Sequence, residues 1–181
     1  MGSPKALLQY QGEAFLNRLI RVLGEVCDPV IAVLGYHAEI IRAQAIGSVQ
    51  FVVNPDPDRG QLSSLQTGLA AVPAGVEGFL FTPVDSPAIQ ESTLQQLVTR
   101  FRNRKPETQF VIPRYEGQRG HPVFGNSSLL KEFLALPLTA QAKDIVHVYV
   151  PRTEYLDVND PGILADIDDR AAYEQLLEKT P

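Results

Sequence analysis

The chain has 181 residues, 44% of them apolar and 20% charged, with a formal net charge of −5. Those values fit one soluble globular domain, residues 1–181, with room for a substantial core. The negative balance argues against a surface built to bind polyanions, and so against nucleic acid as a partner.

The chain opens on Met1-Gly2-Ser3-Pro4-Lys5, a polar, turn-like segment, and continues through Gln9, Gln11 and Glu13, which is no secretory leader. Phe15, Leu16, Leu19, Ile20, Leu23 and Val26 then recur at helical spacing. The one cysteine, Cys27, excludes an intrachain disulfide or a cysteine-rich metal centre, and among Leu23, Val26 and Val30 it reads as an inert buried thiol. A reducing, cytoplasmic location fits. Val30–Leu34 reads as a buried strand closed by Gly35, far too short to span a bilayer, so no membrane partner is expected. Val49–Val53 is a second strand, ended by Asn54-Pro55. Leu62, Leu65 and Leu69 predict a helix, Gly78–Phe81 a third strand, Ser92–Phe101 a helix and Phe110–Ile112 a fourth strand. Leu129, Leu130, Phe133 and Leu134 predict a helix. Val146, Val148 and Val150 alternate and predict a late strand, and Tyr173, Leu176 and Leu177 belong to a closing helix. This alternation predicts a three-layer α/β/α, Rossmann-like fold with a mostly parallel sheet. Ligands in such folds bind beyond the carboxyl ends of the strands.

Four groups of residues could carry chemistry there. Asp85 follows the third strand, where a carboxylate could hold Mg²⁺ or could cap the next helix. Asp166, Asp168 and Asp169 precede the last helix and read either as its caps or, brought to Asp85, as the rest of a metal site. Lys5, in a glycine-bearing turn, could neutralise a phosphate or be an ordinary surface lysine. The segment Tyr115–Pro122 is either a cationic anion-binding loop or a plain hairpin. His37, His121 and His147 are too scattered to predict a zinc site.

Taken as a set, these segments resemble the MobA-like nucleotidyltransferases. Met1-Gly2-Ser3-Pro4-Lys5-Ala6-Leu7-Leu8 resembles the second half of the family signature L-A-A-G-x-S-x-R-M-G-x-x-K-x-L-L. Gly60-Gln61-Leu62-Ser63-Ser64-Leu65, Val84-Asp85-Ser86-Pro87, Tyr115–Val123 (Y-x-G-x-R-G-H-P-V) and Ala165–Asp169 resemble further family segments, in the family's order. The resemblance implies transfer of a nucleotide from a nucleoside triphosphate to the phosphate of a molybdopterin-type acceptor, with Mg²⁺ as cofactor. It implies Lys5 and Asp85 as catalytic groups, Gly2, Lys5, Ser63 and Ser64 at the nucleotide, and Asp85 and Asp168 on the metal. Arg119, Gly120 and His121 would lie at the acceptor. The Ser-Ser-Leu and Gly-His-Pro segments resemble most the branch that uses cytosine or adenine nucleotides, which points to CTP.

The family's opening strand and its L-A-A-G-x-S-x-R half-signature have no counterpart before Met1. The expectation is therefore an unfilled sheet position beside Val30–Leu34 or Phe79–Phe81, and impaired activity of this form. Two other functions fit the same residues: a cytidylyltransferase acting on a sugar or polyol phosphate, such as methylerythritol phosphate, and a non-catalytic module that holds a nucleotide or cofactor. Self-association into a homo-oligomer is compatible with all three.

Overall fold

The computed structural model describes residues 3–137 and 139–178. Gly2, expected at the nucleotide, lies outside them. A single helical turn at Lys5–Leu7 leads into a two-residue hairpin, β1 (Gln9–Tyr10) and β2 (Glu13–Ala14). Helix α1 (Phe15–Gly24) follows and buries Phe15, Leu16, Leu19, Ile20 and Val22, the stripe visible in the sequence. Strand β3 (Ile31–Leu34), helix α2 (Ala38–Gln44) and strand β4 (Gln50–Val53) form a β–α–β unit whose two strands pair in parallel. Helix α3 (Gln61–Ala70) starts at Gly60, whose φ of +85° no β-carbon residue adopts readily.

Strand β5 (Gly78–Phe81), helix α4 (Glu91–Arg102), strand β6 (Phe110–Tyr115), β7 (Gln118–Arg119) and β8 (Val123–Asn126) come next. Helices α5 (Leu130–Ala135) and α6 (Ala142–Val148), strand β9 (Thr153–Asp157) and helix α7 (Arg170–Glu178) complete the chain. In the larger sheet β8 pairs antiparallel with both β5 and β6, β7 closes a hairpin on β6, and β9 runs parallel to β6. The class is α/β, with parallel pairs at β3–β4 and β6–β9 and β8 running against them. No helix among the described residues is long and apolar enough to cross a membrane.

Two expectations about the sheet have different outcomes. The late strand at Val146–Val150 is not formed: those residues lie in α6 and the short turn Val150–Arg152, and the strand is β9. The valines alternate, but Ala142, Ile145, Val146 and Tyr149 have helical spacing and pack on the core around Phe79 and Phe133. Gln141 and Asp144 form a capping box that fixes the helix start, and Val148 is left exposed. The unfilled position, by contrast, is present. Among the described residues β3 pairs only with β4 and β5 only with β8, and β1 joins neither sheet. A groove of about 1400 Å³ separates them.

Candidate active site

Asp85 sits in the turn that follows β5, 8% exposed. Its backbone carbonyl accepts the N–H of Ile167 at 3.1 Å. Ile167 is buried against Tyr10 and Phe15, so this bond ties the post-β5 turn to the segment before α7. That tie brings three carboxylates together: one oxygen each from Asp85, Asp166 and Asp168 lies within 4.8 Å of the others. Lys5 reaches them from the N-terminal turn. Its ammonium donates to Asp168 Oδ1 at 2.6 Å and to Asp85 Oδ2 at 3.2 Å. The turn is held by Leu7 N–H to Pro4 and Leu8 N–H to Lys5 bonds and by buried Ala6. Burial works to lower the pKa of Lys5, but the bonds to Asp168 and Asp85 outweigh it and the pKa is raised. Asp166 has its pKa raised by partial burial and by the charges of Asp85 and Asp168.

The capping alternatives are resolved by other residues. Asp169 is the cap of α7, accepting the Ala172 N–H at 2.8 Å, and this leaves Asp168 to Lys5. The start of α4 is capped from a distance by Asp160, 1% exposed, which accepts the Gln90 N–H at 3.0 Å and the Thr93 hydroxyl at 2.7 Å. Asp85 therefore serves no helix, and its Oδ1 is buried without a hydrogen-bond partner. An orphaned carboxylate oxygen beside two more carboxylates is a hard-oxygen donor set that fits a hydrated divalent cation.

The two serines divide. Ser63 is buried, and its hydroxyl donates to the Gly60 carbonyl at 2.9 Å while accepting from Asn54 Nδ2 at 2.8 Å. Ser64 is bonded by the same Asn54 amide at 3.1 Å and lines the groove. Asn54, 4% exposed, is thus the residue that fixes the start of α3. Its position after β4 is the only sequence signal for it.

On the opposite rim, Glu116 and Gly117 take φ values of +48° and +80° in a tight β6–β7 hairpin. The segment is a hairpin, and it carries Arg119, Gly120 and His121 to the groove. A β-carbon on Gly120 would lie 2.3 Å from the Ile163 carbonyl oxygen, so only glycine fits. The N–H groups of Gly120 and His121 donate to Pro113 and Ile163. Burial pushes the His121 pKa down, opposed by its bond to the Phe81 carbonyl and by the charges of Asp85 and Asp166. Its Nδ1 is buried with no hydrogen-bond partner among the described residues. Arg119 is exposed. Cys27 lines the inner groove, its thiol pushed up to about 11 by burial.

Residues 1–154 match the family model described as the MobA-like NTP transferase domain. The chain is 30% identical over 178 residues to a "Probable molybdenum cofactor guanylyltransferase" of Rhodopirellula baltica, covering 91% of this chain and 83% of that protein. Among solved structures it is similar to Rv0371c of Mycobacterium tuberculosis, with 28% identity, a TM-score of 0.85 and 98% and 90% of the two chains covered. A manganese complex of that mycobacterial protein superposes with a TM-score of 0.80 at 27% identity, covering 98% of this chain and 93% of that one. The chain belongs to the MobA-like NTP transferase family, a family of nucleotidyltransferase enzymes.

Proposed function

We propose that this chain transfers a nucleoside monophosphate from a nucleoside triphosphate to the phosphate of a molybdopterin-type acceptor. The acceptor phosphate oxygen attacks the α-phosphorus, the bond from that phosphorus to the bridging oxygen breaks, and pyrophosphate leaves. The observation that carries the reading is the meeting of Asp85, Asp166, Asp168 and Lys5, with Lys5 also lining the groove that Ser64 and Arg119 line. Such chemistry depends on positioning and on charge neutralisation more than on a nucleophilic side chain.

Asp85, Asp166 and Asp168 would hold Mg²⁺. Bound there, the ion supplies positive charge to the triphosphate and to the leaving group. Lys5 is the cation hydrogen-bonded to Asp85 and Asp168, and a triphosphate arriving there offers its ammonium stronger acceptors, so it moves from carboxylate to phosphate. Ser64, held by Asn54, faces the nucleotide. Gly120 lets the hairpin close on Ile163, and Arg119 offers a planar fork to the acceptor phosphate. The manganese complex of the mycobacterial relative supports a divalent ion for this chain.

The donor base has two readings. CTP is favoured by the Ser63-Ser64 and Gly120-His121-Pro122 segments, and GTP by the name of the Rhodopirellula relative. The test measures Mg²⁺-dependent pyrophosphate release with each of the four triphosphates against molybdopterin, methylerythritol phosphate and no acceptor. Release that requires molybdopterin and one preferred base is expected. Release with methylerythritol phosphate instead would assign the sugar-phosphate reaction. Triphosphate binding with no release under any pairing would assign a binding module. In the same assay Arg119→Ala should raise the KM for acceptor more than that for triphosphate.

A further inference from the structure

The turn that carries Asp85 has few bonds of its own. It runs Thr82-Pro83-Val84-Asp85-Ser86-Pro87, and neither Pro83 nor Pro87 has an N–H to donate. The Ser86 N–H reaches the Pro83 carbonyl at 3.4 Å, which is long for such a bond. The position of the Asp85 carboxylate therefore depends on what holds the turn from outside. Two of its carbonyls are held. The Asp85 carbonyl accepts the Ile167 N–H at 3.1 Å, and the Pro87 carbonyl accepts the Arg18 Nε–H at 2.8 Å. These acceptors stand on either side of Ser86. One alone would leave the turn free to pivot, and the pair fixes its rotation.

Arg18 projects from α1 one turn after Phe15, so the two side chains lie on neighbouring parts of one helix face. The Arg18 side chain is 13% exposed, and its guanidinium carbon stands 5.2 Å over the Tyr10 ring. Its ion pair with Glu13 is loose, at 3.9 Å, and Glu13 is held at 2.9 Å and 3.0 Å by Arg21 instead. The short bond of this largely buried cation goes to a main-chain carbonyl two residues from Asp85. Tyr10 extends the hold. It is buried in one cluster with Phe15 and Ile167, and Val84 and Ala88 pack against that cluster from either end of the turn. Ile167 lies between Asp166 and Asp168 in the chain. One guanidinium thus bears on both arms of the carboxylate cluster, on the Asp85 arm through Pro87 and on the Asp166–Asp168 arm through Tyr10.

We infer that Arg18 is a positioning residue for the metal site, one that sets the spacing of Asp85 from Asp166 and Asp168 without touching the ion. The inference rests on the divalent-metal site proposed above. Loss of the Arg18 bond lets the turn pivot about the Ile167–Asp85 bond and spreads the three oxygens that lie within 4.8 Å of one another. Arg21 provides the comparison. It sits one turn further along α1, is about as rich in bonds, and directs them to Glu13 and Glu91.

The test compares the wild-type chain with Arg18→Met, Arg18→Lys and Arg21→Met. Mn²⁺ alone is titrated into each, and amide hydrogen exchange at Ile167 is read without metal. Arg18→Met should lower Mn²⁺ affinity by about tenfold, as loss of a group that orients a ligand does. It should also speed exchange at Ile167 by about tenfold relative to Asn54, whose amide bonds Leu34 in the β3–β4 pair. Arg21→Met should lower the unfolding midpoint and leave both readouts in place. Arg18→Lys keeps one donor but loses the planar group over Tyr10, and should lower affinity by about threefold. Wild-type Mn²⁺ affinity in Arg18→Met, or in Arg18→Lys where Arg18→Met does not fold, would overturn the proposal. So would equal losses in Arg18→Met and Arg21→Met, since Arg18 would then act through stability alone. A wild-type chain that binds no Mn²⁺ would remove the metal site itself, and Ile167 exchange would still show whether Arg18 holds the turn; an unchanged rate there would end that claim too.

Discussion

Lys5 and Asp168 lie 163 positions apart in the chain, and their side chains meet at 2.6 Å. The same ammonium reaches Asp85, and among the described residues Asp166 has no hydrogen-bonded cation of its own. Replacing Lys5 by Met should therefore act in two directions. Without metal, stability falls by about 1–2 kcal/mol, because Asp85 loses the Lys5 donor in a partly screened site. Affinity for Mn²⁺ alone rises, because the competing ammonium is gone. Calorimetric titration with Mn²⁺, beside thermal unfolding of the metal-free chain, checks both signs.

Asp166 carries the pH dependence. Its pKa is raised by burial and by Asp85 and Asp168, so its charged form is disfavoured in the folded chain. The sign for stability follows: the metal-free chain carries this penalty above the raised pKa, and loses it as pH falls through that value and the carboxyl takes up a proton. Metal binding has the opposite sign, since a ligand carboxylate must be charged and binding expels the proton. Asp166→Asn should raise the metal-free melting temperature at neutral pH, lower Mn²⁺ affinity, and flatten the acid limb of the affinity–pH curve. An affinity with the same pH profile in the variant would remove Asp166 from the site.

Asp160 is a structural carboxylate. It accepts from Gln90, Thr93 and Gly162 while 1% exposed. Asp160→Ala should cost about 3 kcal/mol, as several buried donors lose their partner. Thr93→Val, which removes one of them, should cost about 1 kcal/mol. Denaturant unfolding measures both, and Mn²⁺ affinity of the folded fraction should not move.

Gly120 and the serine pair give paired tests. Gly120→Ala forces the hairpin off the Ile163 carbonyl and should cost about 2 kcal/mol, with loss of acceptor-dependent turnover exceeding the loss of triphosphate binding. Ser63→Ala should cost about 1–2 kcal/mol of stability by leaving Asn54 short of a buried partner. Ser64→Ala should weaken triphosphate binding with little effect on unfolding.

The sequence carried the layers and the loops that matter because both follow from local rules. Buried strands such as Ile31–Leu34 are short apolar runs ended by turn residues, and ligand loops follow strand ends. Val146, Val148 and Val150 satisfy a period of two, while the capping box and the Ala142, Ile145, Val146, Tyr149 stripe specify a helix, and the helix forms. The division of labour among acidic residues could not be read locally. Asp160 sits before Pro161-Gly162 and looks like a turn residue, and only the fold places it under α4. Ser63 and Ser64 are adjacent and chemically identical, yet the pitch of α3 buries one and turns the other to the groove.

The claim on which the functional reading rests is that Asp85, Asp166 and Asp168 form a divalent-metal site. Titration of the metal-free chain with Mn²⁺, followed by electron paramagnetic resonance, tests it directly. One bound ion is predicted for the wild-type chain, with affinity reduced by about tenfold or more in Asp85→Asn and unchanged in Asp169→Asn, where the α7 cap is kept. Equal affinity in the wild-type chain and Asp85→Asn would contradict the account.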